Sequence, residues 1–131
     1  MTYESQNGTI LVVDDNRDIC SLTKRLLESA GWRVVTAMDG EEGLRFYEEH
    51  RSAIVLLLTD VVMAKINGFE LADRVLGADS ELPVLFMSGD AGCDYRGLEC
   101  ISKPFRPSEL IETVSRVLSA YAHSQKAVST A

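Results

Sequence analysis

The chain has 131 residues and a formal net charge of −7, with 25% of its residues charged. This length forms one domain with a real core and leaves no room for a DNA-binding output domain. The acidic balance argues against a nucleic-acid partner, because binding phosphates needs clustered Lys and Arg. No stretch has the pattern of a signal peptide or the apolar length of a membrane span. We therefore expect a cytoplasmic protein with no nucleic-acid and no membrane partner.

The three cysteines are odd in number and lack CxxC spacing. Cys20, Cys93 and Cys100 also have no accompanying histidine cluster, so the sequence supports neither a disulfide framework nor a zinc site. We expect three reduced thiols. His50 and His123 fall at a helix end and in a tail, and neither is expected to be a ligand.

Short apolar runs alternate with helical patterns along the chain. Strands are predicted at residues 10–13, 32–37, 53–59, 84–87 and 100–102, and helices at residues 17–30, 39–50, 69–76 and 107–121. This alternation implies right-handed crossovers and a parallel sheet. The expected fold is α/β, a flavodoxin-like doubly wound sheet of five parallel strands in the order 2-1-3-4-5. Residues 1–8 and 122–131 are expected to be flexible ends around a domain at residues 9–121.

Polar residues recur where the predicted strands end. Asp14 and Asp15 follow the first strand, Asp60 follows an apolar run and Thr59, and Ser88 and Lys103 follow the last two strands. The carboxyl ends of parallel strands meet at one edge of the sheet, where ligands bind. Three carboxylates gathered there repel one another unless a cation is near or one of them holds a proton. Oxygen ligands with room for water suit Mg²⁺.

These strand-end motifs, taken together and in this order, resemble the receiver domain of two-component response regulators. The resemblance runs from about Thr9 to about Ala120. The motifs that carry it are Asp14-Asp15, Leu57-Leu58-Thr59-Asp60-Val61-Val62-Met63, Asn67-Gly68, Met87-Ser88-Gly89 and Lys103-Pro104-Phe105.

The resemblance implies a phosphoacceptor signalling domain in which Asp60 receives a phosphoryl group. The donor would be a phosphohistidine on a sensor histidine kinase or a histidine phosphotransfer protein. Lys103 would neutralise charge on the transferring group, and the Ser88 hydroxyl would swing to bind a phosphoryl oxygen. The metal ligands implied for Mg²⁺ are Asp15, Asp14 mainly through water, one oxygen of Asp60 and the backbone carbonyl of Val62. The enzymatic activity of the domain would be limited to its own phosphorylation and slow dephosphorylation.

The sequence departs from the receiver pattern at several positions. Ala64 stands where the family usually has Pro, which should loosen the loop after Asp60. Cys100 stands where the family usually has the Tyr or Phe that turns inward as the serine moves. Asp90 adds another acid near the site, and the side chain of Val62 cannot hydrogen-bond a water.

The segment between the fourth and fifth strands is short and rich in glycine. Residues 88–103 show no amphipathic period, so we expect the family's fourth helix to be shortened or missing. The usual signalling face, which includes that helix, could then not rearrange in the usual way. We expect phosphorylation to order residues 88–97 directly, and we expect the protein to be a monomer.

Other interpretations stay open. A hydrolase of the haloacid-dehalogenase type also uses an Asp nucleophile and Mg²⁺, but it needs a second Asp where this chain has Val62. A degenerate receiver would act only as a protein-interaction module. Among single residues, Asp14 could be only a helix N-cap, Lys103 a solvated lysine, and Ser88 part of an ordinary Ser-Gly turn.

Overall fold

The computed structural model describes residues 8–89, residue 93 and residues 95–130, with side chains described as far as residue 120. Strands and helices alternate in this part of the chain. The strands are β1 (Thr9–Val13), β2 (Arg33–Ala37), β3 (Ile54–Asp60), β4 (Val84–Ser88) and β5 (Glu99–Ser102). The helices are α1 (Arg17–Ser29), α2 (Gly40–Glu49), α3 (Gly68–Ala78) and α4 (Pro107–Thr130).

The strands form one parallel sheet in the order β2-β1-β3-β4-β5. This is the predicted flavodoxin-like order. Strand β1 lies beside β3, with Val13 opposite Thr59, so the residues that follow these two strands are neighbours at the carboxyl edge. Strand β4 lies beside β5, with Ser88 opposite Ser102, which brings the Lys103 region to the same edge.

Both faces of the sheet are buried, because successive strand residues point to opposite sides. One face packs against α2 and α3 and includes Leu57 and Phe86 among its buried residues. The other face packs against α1 and α4 and includes Leu56 and Leu58. This double burial explains why β3 has an uninterrupted apolar run instead of an alternating pattern.

Three helices, α1, α2 and α3, begin with side-chain caps. The carboxamide oxygen of Asn16 accepts hydrogen bonds from the N–H groups of Asp18 and Ile19, so Asn16 is the N-cap of α1. The possibility that Asp14 is only this cap is therefore wrong. At α2 the N-cap is Asp39, whose carboxylate accepts from the Glu42 N–H at 2.8 Å.

The last helix is longer than the sequence pattern predicts. Helix α4 continues to Thr130, whereas the predicted end was Tyr121. No Gly or Pro follows Pro107 in the chain, so nothing in the sequence stops the helix, and residues such as Ala and Gln favour its continuation. The flexibility expected for residues 122–131 stays a prediction. Among the described residues, no helix combines the length and apolar character needed to cross a membrane.

The connection from β4 to β5 contains no helix in its described residues, which are 89, 93 and 95–98. Tyr95 and Leu98 form an isolated antiparallel bridge. Between them Arg96 and Gly97 have positive φ angles of 56° and 73°, which make a tight left-handed turn. The described residues of this connection therefore form a turn, and the expected shortening or loss of the family's fourth helix concerns residues that lie partly outside the described ones.

A disulfide joins Cys93 to Cys100, and Cys20 is a buried free thiol. The expectation of three reduced cysteines was therefore wrong. Spacing rules did not suggest the pair because its partners are separated by seven positions. The turn at Arg96 and Gly97 folds the chain back and brings the two Cα atoms to 6.0 Å, within the range that a disulfide spans.

Candidate functional site

Asp60 lies at the end of β3 with 7% of its surface exposed. The segment that follows is held close beneath it: the Val61 N–H donates to the Met87 carbonyl at 3.1 Å, and the Gly68 N–H donates to the Val61 carbonyl at 2.8 Å. A Cβ atom on Gly68 would overlap the carbonyl oxygen of Asp60, so only glycine permits this approach. The phosphoacceptor candidate is therefore fixed by backbone contacts on both sides.

Asp14 is fully buried at the end of β1. One carboxylate oxygen accepts from the Asn16 N–H at 2.9 Å, and the other accepts from the Lys103 ammonium at 2.9 Å. Both oxygens thus have a donor, as a buried carboxylate requires. Asp15, the next residue, is exposed.

Lys103 bridges two of the acids. Its ammonium lies 2.9 Å from Asp14 and 3.2 Å from Asp60, and only 19% of its side chain is exposed. Its backbone N–H donates to the Ser88 carbonyl at 2.7 Å, and the Lys103–Pro104 peptide bond is cis. Burial works against the charge of the ammonium, but the hydrogen bond and the charge of Asp14, with the charge of Asp60, raise the pKa of Lys103. A solvated, unpaired Lys103 is excluded.

The three carboxylates form a possible metal site. Asp14, Asp15 and Asp60 each offer an oxygen, and these atoms lie within 4.8 Å of one another. Burial and the neighbouring charge of Asp14 raise the pKa of Asp60, while Lys103 opposes that rise. The Lys103 ammonium pairs with the two buried carboxylates, those of Asp14 and Asp60. It does not pair with the exposed carboxylate of Asp15. A hard cation with oxygen ligands fits this donor set.

Two further predicted site residues lie at the same edge. Ser88 is buried at the end of β4, beside β3 and β5. The side chain of Val62 is 75% exposed, and the role of its carbonyl as a metal ligand stays a prediction. Asp90 lies outside the described residues.

The loop after Asp60 is anchored although it lacks the usual proline. Lys65 has a positive φ of 71°, and its ammonium lies 3.6 Å from Asp39 and 3.3 Å from Glu41 at the start of α2. Ile66 is buried against Gly40, where a Cβ atom would overlap its side chain. These contacts hold the loop against α2 and oppose the loosening that is expected from Ala64 in place of proline.

The sequence interpretation missed an aromatic contact beside the site. The Tyr95 ring stacks on Phe69 of α3, with centroids 4.2 Å apart, and meets Phe86 of β4 edge-on at 6.1 Å. Cys100 stands where the family usually has an inward-turning aromatic ring. Phe86 is the residue of β4 opposite Cys100, and here it is in contact with the ring of Tyr95. No pattern in the sequence linked Tyr95 to α3.

A family model described as the response regulator receiver domain matches residues 10–115. The chain therefore belongs to the receiver domain family of response regulators. It is 34% identical over 116 residues to the transcriptional regulatory protein CpxR of Escherichia coli, covering 83% of this chain and 48% of CpxR. It is 36% identical to a probable transcriptional regulator, ycf27, of Cyanophora paradoxa, covering 88% of this chain and 50% of that protein. The chain thus spans about half the length of these relatives.

Solved receiver structures share the fold. The receiver domain of the hybrid histidine kinase CckA is 37% identical, with a TM-score of 0.76, and covers 85% of this chain and 99% of that one. The chemotaxis protein CheY4 of Vibrio cholerae is 28% identical, with a TM-score of 0.78, and covers 84% of this chain and 98% of that one. Because relatives include transcriptional regulators, the expectation of no nucleic-acid partner is not supported: the net charge describes this chain and not the further length of those proteins.

Proposed function

We propose that this receiver domain accepts a phosphoryl group on Asp60 from a phosphohistidine donor. The observation that carries the proposal is the position of the Asp60 carboxylate. It lies buried at the sheet edge, 3.2 Å from the Lys103 ammonium and within 4.8 Å of two further carboxylates. A structural acid in a core has no need of two acidic neighbours, whereas a group that must hold a cation and a phosphoryl group does.

In the proposed reaction, a carboxylate oxygen of Asp60 attacks the phosphorus of the donor. The new bond joins that oxygen to phosphorus, the bond from phosphorus to the donor histidine nitrogen breaks, and the leaving imidazole takes a proton. The product on Asp60 is an acyl phosphate. Transfer of this kind depends mainly on positioning and charge neutralisation, so few catalytic groups are needed.

We assign Mg²⁺ to the three carboxylates with the carbonyl of Val62. When bound, the metal supplies positive charge beside the phosphoryl oxygens. Asp15 is the exposed acid and the natural direct ligand. Asp14 already holds Lys103 on one oxygen and the Asn16 N–H on the other, which agrees with contact mainly through water.

Lys103 and Ser88 would bind the transferred group. The Lys103 ammonium bridges Asp14 and Asp60 and is close enough to Asp60 to pair with a phosphoryl oxygen on it. The Ser88 hydroxyl would then hydrogen-bond another oxygen, which ties the start of the β4–β5 connection to the modification state. The turn at Tyr95–Leu98 is already formed, so an ordering effect of phosphorylation is expected mainly nearer to Ser88.

The partners that suit this chemistry are a sensor histidine kinase or a histidine phosphotransfer protein. We place the reaction in the cytoplasm. A monomer is the expected state of this chain in solution. The hydrolase alternative is not favoured, since Val62 has no acidic group to protonate a leaving oxygen.

Intact mass spectrometry after treatment with acetyl phosphate tests the proposal. Wild type with Mg²⁺ should gain one phosphoryl group, and both Asp60→Asn and addition of a metal chelator should prevent the gain. Asp79→Asn, a change in an acid that ends α3 away from the cluster, is the matched control and should label like wild type. Full labelling of Asp60→Asn would refute the site. Absence of labelling in wild type would favour a degenerate receiver that only binds partners.

A further inference from the structure

Within the connection between β4 and β5, the described residues 93 and 95–98 cover part of the core. Tyr95, Leu98 and both cysteines of the disulfide pack against the core cluster that contains Phe86. Tyr95 also stacks on Phe69, which itself meets Phe86 edge-on at 5.0 Å. If this segment moved away, Phe69 and Phe86 would lose their cover on that side.

The polar contacts that attach the turn to α3 are weak. Asp73 of α3 accepts a hydrogen bond from the Tyr95 hydroxyl at 2.6 Å and from the Arg96 guanidinium at 2.7 Å. The ion pair is about half exposed on both sides, and exposed pairs contribute little. Arg96 moreover has a left-handed backbone, which is unfavourable for a residue with a Cβ atom. These contacts alone do not hold the turn firmly.

The disulfide closes the base of this turn. It joins Cys93 to Cys100, and Cys100 lies in β5 opposite Phe86 of β4. The cross-link removes conformational freedom from the open form of the segment, so it favours the closed, packed form. Both cysteines are only partly buried, so the disulfide does not lie in the fully buried core.

We propose that Cys93 and Cys100 are a reversible thiol–disulfide couple that controls whether the Tyr95–Leu98 turn stays closed over Phe69 and Phe86. The co-reactant is a thiol reductant of the glutathione class. A thiolate of the reductant attacks one sulfur of the disulfide, the S–S bond breaks and a mixed disulfide forms. A second reductant thiolate then attacks the reductant sulfur of this mixed disulfide, which releases the oxidised reductant and the second protein thiol. Two electrons and two protons pass to the protein, which gains two free thiols.

The contacts also give this couple a route to the phosphoacceptor edge. The segment runs from Ser88 to Lys103, and the Lys103 N–H donates to the Ser88 carbonyl at 2.7 Å. Cys100 belongs to the same strand that ends beside that hydrogen bond. The redox state of Cys93 and Cys100 does not depend on whether Asp60 is phosphorylated. It depends only on the thiol reductant and on closure of the turn.

A glutathione titration of the full chain tests this inference. Thiol counting under denaturing conditions should find one free thiol, that of Cys20, at the oxidising end and three at the reducing end. Hydrogen exchange should be followed at the Leu98 amide, which donates to the Tyr95 carbonyl at 2.9 Å. Reduction should speed its exchange by at least about tenfold, with increased exchange in the α3 peptide that contains Phe69.

Cys93→Ser is the matched variant and should exchange like reduced wild type in both redox conditions. Three thiols at the oxidising end would overturn the couple. A disulfide that forms without changing the exchange of Leu98 would overturn the control of the segment. Neither readout uses a phosphodonor, so failure here is separate from failure of the phosphoacceptor proposal.

Discussion

The ammonium of Lys103 donates to a carboxylate oxygen of Asp14 at 2.9 Å across 89 positions of the sequence. Asp14 is fully buried, and its other oxygen accepts from the Asn16 N–H. The same ammonium lies 3.2 Å from Asp60, so one cation compensates two buried acids. This bridge offsets part of the repulsion between the acids and places the ammonium beside the proposed phosphoacceptor.

Replacing Lys103 by Gln should separate these two roles. Without metal, the variant should be destabilised by roughly 3 kcal/mol, since it leaves a buried carboxylate without its cation. Mg²⁺ should restore more stability to it than to wild type. Labelling of Asp60 by acetyl phosphate should fall by about a hundredfold even with Mg²⁺. Lys24→Gln, which removes a half-exposed lysine paired with Glu28, is the control and should change neither quantity much. Unchanged labelling in Lys103→Gln would contradict the assignment.

Replacing Asp14 by Ala and replacing Asp15 by Ala should affect metal binding and stability differently. Asp15→Ala should lose most of the Mg²⁺-dependent rise in melting temperature while folding normally, because the side chain is exposed. Asp14→Ala should retain more metal affinity but be less stable without metal, because it also loses the partner of Lys103. Thermal melts across a Mg²⁺ titration measure both effects. Equal metal responses in the two variants would mean that the carboxylates do not bind the ion as proposed.

The sequence predicted the strand-end acids, Lys103 and the sheet order, because parallel strands bring their carboxyl ends together whatever the helices do in detail. It did not predict the contacts that hold the β4–β5 segment. Tyr95 and Asp73 meet only through tertiary packing, and the disulfide depends on the left-handed turn at Arg96 and Gly97. Such contacts leave no periodic signal, since neither helical nor strand spacing relates the residues involved.

The glycine at the start of α3 offers a test of how closely Asp60 is held. Gly68→Ala should destabilise the protein and slow labelling of Asp60, because its Cβ atom would force the Asp60 backbone to move. Gly77→Ala, in the same helix with no atom within 4 Å of the added Cβ, should instead stabilise by about 0.5–1 kcal/mol. Urea unfolding and phosphodonor labelling measure the two effects. A neutral Gly68→Ala would show that the approach of α3 to Asp60 is not tight.

Two tyrosine hydroxyls have opposite surroundings. Tyr47 is buried, and no partner for its hydroxyl is found among the described residues, whereas the Tyr95 hydroxyl donates to Asp73 at 2.6 Å. Tyr47→Phe should leave the free energy of unfolding unchanged or raise it by up to about 1 kcal/mol. Tyr95→Phe should lower it, because the change removes the hydrogen bond to Asp73. Chemical denaturation of the two variants compares them directly, and a large loss in Tyr47→Phe would reveal a hydrogen bond to that hydroxyl.

The thiol of Cys20 should make stability fall at alkaline pH. Burial, together with the charge of Asp14, raises the pKa of Cys20 from 9.0 to about 11. Between these values the folded protein keeps a proton that the unfolded chain releases, so the free energy of unfolding falls as pH rises through this window. Cys20→Ala should show a shallower fall from pH 8 to pH 10.5, measured by urea unfolding with the Cys93–Cys100 disulfide intact. Tyrosine and lysine titrate in both proteins, so the difference in slope isolates Cys20, and parallel curves would contradict the raised pKa.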